Sequence, residues 1–126
     1  MKRMMVALLA FGLMACGNEN NSVEPTVSLA GTYTLRTING SGLPFTFSDG
    51  TTVTSDVISI FDDGTFSESI QISDGEVFVD QGTYSSNNGS ITFNDITAGI
   101  QYSASLSGTV LTAIFQNGLT EVFQKT

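Results

Sequence analysis

A chain of 126 residues with 13 glycines, nine phenylalanines, no tryptophan and no histidine has room for one domain, and its composition favours strands and tight turns. Its formal charge of −8 repels phosphate backbones and anionic headgroups, which excludes nucleic acid and basic-patch membrane contacts. One cysteine cannot close an internal disulfide, and the absence of histidine removes the usual zinc or iron site and any Ser–His or Cys–His nucleophile pair.

At the N-terminus Lys2-Arg3 form a positive stretch, and Met4 to Met14 an apolar run of eleven residues. A bilayer takes about 20 apolar residues to cross, so this run is too short to span one and has the length of a signal-peptide core. The only cysteine, Cys16, stands directly behind it. The sequence Leu13-Met14-Ala15-Cys16 resembles the lipobox of bacterial lipoproteins. That resemblance implies that residues 1–15 are a signal peptide cleaved before Cys16. It also implies that the Cys16 thiol takes a diacylglyceryl group and that the new N-terminus is acylated, for instance with palmitate. A thiol is the best nucleophile available for such alkylation, and several acyl chains, at about 0.8 kcal/mol per buried CH₂, hold a protein durably on a membrane. An ordinary secretory signal is the alternative. Gly17 follows the cysteine where Asp would signal inner-membrane retention, so by resemblance to the enterobacterial sorting rule the chain is expected at the outer membrane.

Residues 16–28 then comprise the lipidated Cys16 and a polar tether carrying Pro25. Lacking periodicity, this segment is expected to be disordered, with a reach of about 20 Å.

From Leu29 onward the chain is punctuated by Asn39-Gly40, Asp49-Gly50, Asp63-Gly64, Asp74-Gly75, Asn88-Gly89 and Asn117-Gly118, pairs that supply the positive φ angles of hairpins. Asp95 to Gly99 and Ser107-Gly108 fill the larger gap. Between these breaks lie runs rich in Thr, Ile, Val and Phe at 30–38, 52–61, 65–72, 76–85, 90–95, 99–106, 109–116 and 119–124. They predict an all-β domain over residues 29–126, an antiparallel up-and-down meander of about eight strands. Closing the meander into a small barrel removes its two edges; a two-sheet sandwich is the alternative.

Turn geometry sets the register. Type I turns closed by a left-handed glycine at Gly64 and Gly75 pair Ile60 with Phe66, Ile58 with Glu68, Ile70 with Phe78 and Glu68 with Asp80. A two-residue turn at Asn88-Gly89 pairs Tyr84 with Phe93. One face then reads Ile58, Ile60, Phe66, Ile70, Ile72, Phe78, Tyr84, Ile91 and Phe93, with Glu68 and Asp80 in its midst. Two-residue turns at Gly64 and Gly75 would instead turn different residues inward. Facing carboxylates on an apolar wall would share a proton, bind a cation or bind an amine-bearing ligand. The competing and favoured expectation places Glu68 and Asp80 at a wet rim, or pairs them with Arg36 or Lys125. Asp62-Asp63-Gly64 lacks the spaced acids of a calcium loop and reads as a turn, so neither a metal site nor a cofactor is expected.

The segments AGTYTLRTINGSGLP, FDDGTF, DQGTYSSNNGSITF and the end EVFQKT resemble the small lipocalin-like domain of bacterial lipoproteins. Gly31-Thr32-Tyr33 stands where the wider lipocalin group has an early G-x-W, with Tyr for Trp, and Lys125 stands where that group lays a cation over the aromatic ring. The resemblance implies a barrel that binds a small hydrophobic or amphipathic ligand, with Tyr33, Phe66, Glu68, Phe78, Asp80, Tyr84, Phe93 and Tyr102 as candidate contacts. In a barrel this small the inward aromatics are as a rule packed core. No activated nucleophile can be assembled, so an enzyme is not expected. The rival expectation is a filled-core envelope lipoprotein that engages a protein partner through its acidic exterior or an edge strand.

Overall fold

The computed structural model describes residues 28–126; the segment expected to be a signal peptide at 1–15, Cys16 and the expected tether up to residue 27 lie outside the described residues. Ten strands follow in order: β1 (Gly31–Ile38), β2 (Ser41–Gly42), β3 (Phe45–Thr46), β4 (Thr52–Ile60), β5 (Thr65–Ile72), β6 (Val77–Asn87), β7 (Ser90–Asp95), β8 (Ile100–Ser107), β9 (Val110–Ile114) and β10 (Thr120–Lys125). Eight of them, β1 and β4 to β10, coincide with the predicted runs to within two residues at each end. The two-residue strands β2 and β3 are the addition. They pair with the end of β1 and the start of β4, so the connection between those strands folds back along both.

One design recurs in the turns. At 47–51, 61–65, 72–76 and 115–119 the first residue donates its N–H to the carbonyl of the fifth, and the glycine at the fourth position donates back to the first. The acid or amide before each glycine then accepts a backbone N–H two residues on: Asp49 from Thr51, Asp63 from Thr65, Asp74 from Glu76 and Asn117 from Leu119. Asn39 and Asn88 take positive φ themselves, at 51° and 54°, and with their glycines make two-residue hairpins whose twist matches the strands.

Because the turns have the expected geometry, the register is also as expected: Ile58 opposite Glu68, Ile60 opposite Phe66, Ile70 opposite Phe78, Glu68 opposite Asp80 and Tyr84 opposite Phe93. β1 pairs with β10 on one side and with β4 on the other, through Gly31–Thr34 against Val57–Ile60. The eight-stranded meander is therefore a closed barrel and not a sandwich.

One end of the barrel is filled. Tyr33, Phe66, Phe93, Phe123, Ile38, Ile58, Ile91 and Leu111 are fully buried side chains. Phe66 meets Phe93 edge-on at 5.0 Å between ring centroids, Phe93 stacks on Tyr102 at 5.1 Å, and Tyr102 on Phe115 at 4.3 Å. Gly82 makes room for this packing: a Cβ there would sit 2.0 Å from the Asn94 carbonyl oxygen and 2.9 Å from the Phe66 ring. Below the chain end, Lys125 lays its ammonium 5.7 Å from the Tyr33 ring centre and hydrogen-bonds the Ser28 carbonyl, while Tyr33 Oη donates to the Leu29 carbonyl.

Candidate functional site

The opposite end of the lumen is hollow. A partly open cavity of about 300 Å³ lies within the turns at 47–51, 73–76, 96–99 and 115–119, with Phe47, Ile70, Phe78, Ile100, Phe115 and Leu119 among its apolar walls. Its polar lining consists chiefly of acids: Asp56 from β4, Glu68 from β5, Asp80 from β6, Asp95 from β7 and Glu121 from β10. Strand alternation brings them together, because each lies two residues from an inward-facing partner: Asp56 from Ile58, Glu68 from Phe66, Asp80 from Gly82, Asp95 from Phe93 and Glu121 from Phe123. On β4 an irregularity between Val53 and Ser55 resets the alternation, so both Val53 and Asp56 point inward.

Four of these acids are buried, with Asp56 3 %, Glu68 6 %, Asp95 2 % and Glu121 8 % exposed, and Asp80 is half-buried beside them. The expectation of a wet rim or a cation partner for Glu68 and Asp80 is corrected: Glu68 is inside the barrel, Arg36 faces solvent, and Lys125 is engaged at the other end. Carboxylates this close in a low-dielectric lumen cannot all be charged. Burial first, then a hydrogen bond with Glu68, pushes Asp56 up to about 12. Burial is also the main cause that raises Glu68, that brings Asp80 to about 7 with help from a hydrogen bond to Asp95, and that brings Glu121 to about 8 with help from the Glu68 charge. Asp95 also accepts the Ala98 N–H at 2.9 Å and so ties the 96–99 turn to the acid floor.

Two groups of three, Asp56 with Glu68 and Glu121 and Glu68 with Asp80 and Asp95, each place three carboxylate oxygens within 4.8 Å of one another. Chemically these are cation-seeking arrangements joined through Glu68. Among the described residues two buried polar atoms have no hydrogen-bond partner, Asp56 Oδ1 and Tyr102 Oη, and both residues line this cavity.

Of the residues singled out from sequence, Glu68, Phe78, Asp80 and Tyr102 meet in the cavity. Tyr33 and Phe93 belong to the packed end, fully buried. Tyr84 is half-buried and donates its hydroxyl to the Phe61 carbonyl. Phe66 is core and borders a second hollow of about 450 Å³ with Phe61, Thr65, Gly82 and Ile96, none of whose lining residues ionises. Sequence reasoning missed Asp56, Asp95 and Glu121, although extending the alternation one step beyond Ile58 and Phe93, and one step back from Phe123, reaches all three.

A closed, eight-stranded antiparallel barrel packed at one end and hollow at the other, with a cation laid over an aromatic ring beside its first strand, defines the lipocalin-like class of β-barrels. A family profile described as a lipocalin-like domain matches residues 29–124, and the chain belongs to that family. It is similar in structure to a lipocalin-like protein from Bacteroides uniformis ATCC 8492, with 22 % identity and a TM-score of 0.54 over 78 % of this chain and 98 % of that one. It is also similar to an uncharacterized protein from Bacteroides eggerthii DSM 20697, with 15 % identity and a TM-score of 0.53 over 79 % of this chain and 100 % of that one. At these identities the two structures speak for the fold alone. No curated protein is a significant match.

Proposed function

We propose that this is a binding protein whose lumen holds a small hydrophobic or amphipathic molecule, and that it is carried on the outer membrane by acyl chains at Cys16. The observation that carries the first part is the apolar-walled cavity of about 300 Å³ at the open end of a barrel whose other end is solid. Small-molecule pockets of about 300–1,000 Å³ are concave and mostly apolar, with a few polar groups that fix orientation, and this one has that build. Such a lumen supports ligand binding over the alternative of a filled-core protein that serves only as an interaction surface. The lipobox-like Leu13-Met14-Ala15-Cys16 supports the anchor. We read the role as binding without turnover: without histidine the chain assembles no Ser–His or Cys–His nucleophile pair.

Native mass spectrometry of the intact protein released from its own host membrane tests the lumen. One small molecule per chain is expected, and Ile70→Trp, which fills the cavity wall, is expected to lose it while the barrel stays folded. A chain that emerges empty, or an Ile70→Trp variant that retains the same adduct, refutes the reading.

A further inference from the structure

Five inward carboxyl groups make an unusual floor for a cavity with apolar walls, because a purely apolar ligand leaves them with little but one another beyond the Ala98 N–H that Asp95 accepts. The second observation is independent of the acids. Tyr102, 3 % exposed, lines the same cavity and its buried hydroxyl has no partner, and Asp56 Oδ1 is likewise unpartnered. A buried polar atom left unpaired costs about 1–3 kcal/mol, so such atoms mark positions that a bound group satisfies. Both orphans can accept a hydrogen bond, and so can every ionised carboxylate around them. Tyr102 Oη and any protonated carboxyl can also donate, but the ionised carboxylates can only accept, so a positively charged donor is the partner that suits the floor as a whole. Arg36 is exposed on the outside and Lys125 is spent at the closed end, so neither described cation of the chain supplies it.

The shape of the site distinguishes an organic cation from a bare ion. The two carboxylate triads overlap at Glu68, so the acids form a continuous strip and not a single closed shell around a point. Beyond the strip rise Phe47, Phe78, Phe115 and Leu119, which a naked metal ion would leave without contact. An ammonium group on a short apolar body uses both halves. Its N–H bonds reach the carboxylates and Tyr102, and its body lies against rings already stacked for it, Tyr102 on Phe115 at 4.3 Å.

We propose that the lumen is an amine site, in which a primary or secondary ammonium lies in the field of Asp56, Glu68, Asp80, Asp95 and Glu121, its two or three N–H bonds going to Glu68, which both triads share, to a neighbouring carboxylate and to Tyr102 Oη. The inference rests on the ligand-in-lumen reading above and names the chemical class of the ligand's polar end. Burial holds several of these carboxyls protonated in the empty lumen, so an arriving ammonium displaces protons. Binding of the amine thus releases protons to the buffer; binding of a neutral molecule of the same shape does not.

Isothermal titration of the intact protein in lipid nanodiscs, with empty discs as the blank, tests this using three near-isosteres: 2-phenylethylamine, 2-phenylethanol and 3-phenylpropanoate. The amine is expected to bind one per chain and at least tenfold more tightly than the alcohol, with the carboxylate weakest. Its apparent enthalpy is expected to vary with the ionisation enthalpy of the buffer as proton release requires. Glu68→Gln and Asp80→Asn are each expected to weaken the amine at least tenfold and leave the alcohol unchanged. Asp80 is only half-buried, so its variant keeps the test open if Glu68→Gln fails to fold. Amine and alcohol binding equally overturns the amine assignment and leaves the ligand reading standing. Failure of all three probes to bind, or saturable binding of calcium or zinc that excludes the amine, overturns it as well, the latter by giving the acids to a metal.

Discussion

Glu121 offers the clearest measurement of what the acid floor does to stability. It lies between Ile38 and Ala113 in the β1–β10 and β9–β10 ladders, is 8 % exposed, and has its carboxyl pushed up to about 8, first by burial and then by the charge of Glu68. In the unfolded chain the same group titrates near 4.5. Between those two values the folded state holds a proton that the unfolded state has released, so stability falls as pH rises. At about 1.36 kcal/mol per pKa unit, this single group removes roughly 4 kcal/mol by pH 8 relative to pH 4. Glutamine has nearly the shape of the protonated acid and does not titrate, so Glu121→Gln keeps the packing and deletes the linkage. Urea melts of the two proteins are expected to coincide below pH 5 and to separate as pH rises. With a urea dependence of about 1.5 kcal/mol per molar, the variant's midpoint at pH 8 lies higher by roughly 2–3 M. Asp56, Glu68 and Asp80 push in the same direction in both proteins, so the difference between the curves reports Glu121 together with its coupling to Glu68 and Asp56. Midpoint curves that run parallel from pH 5 to pH 8 would refute the reasoning.

Gly82→Ala places a methyl 2.0 Å from the Asn94 carbonyl and forces the β6–β7 ladder apart; a loss of about 3 kcal/mol, read from the urea midpoint, is expected, and a loss below half of that contradicts the contact. Tyr33→Phe removes only the hydrogen bond to the Leu29 carbonyl, and its expected cost is about 1 kcal/mol with ligand binding untouched, since Tyr33 does not reach the cavity. Cys16→Ser is expected to abolish incorporation of labelled palmitate and to move the protein from the membrane to the soluble fraction; a variant that stays with the membrane rejects the anchor.

Much of the fold was legible because its information is local. Each Asx-Gly pair dictates a turn, each turn dictates a register, and the registers around Phe66, Glu68, Phe78 and Asp80 follow without knowledge of the rest. Closure was arguable from the cost of free edges alone. What was not legible is non-local. The sequence favours a wet rim or a cation partner for Glu68, since carboxylates in structural ion pairs are common; its burial becomes intelligible only when Asp56 and Glu121 arrive from other strands to share protons with it. Asp56, by contrast, was within reach of the local reading: it stands one alternation step before Ile58 and opposite Ile70, and the irregularity in β4 lies on its far side. Asp95 was read as a turn residue, and it is one, accepting the Ala98 N–H, while its side chain also faces the lumen. The aromatic candidates divided for a similar reason: inward orientation is a property of the strand, but whether an inward ring meets a void or a neighbour depends on its place in the barrel, which separates Phe78 from Tyr33, while Tyr102, directly opposite Phe93, stacks on that core ring and also borders the cavity.

The double pairing of β1 has a consequence for how the barrel meets other chains. With Gly31–Thr34 committed to β4 on one side and the strand committed to β10 on the other, the eight-stranded ring leaves open only the two-residue strands β2 and β3, edges too short for an extended peptide to pair along. A visiting polypeptide meets mainly side chains and turn loops. Strand-swapped pairing between copies is disfavoured by the same bookkeeping, since it would require the ring to tear open first.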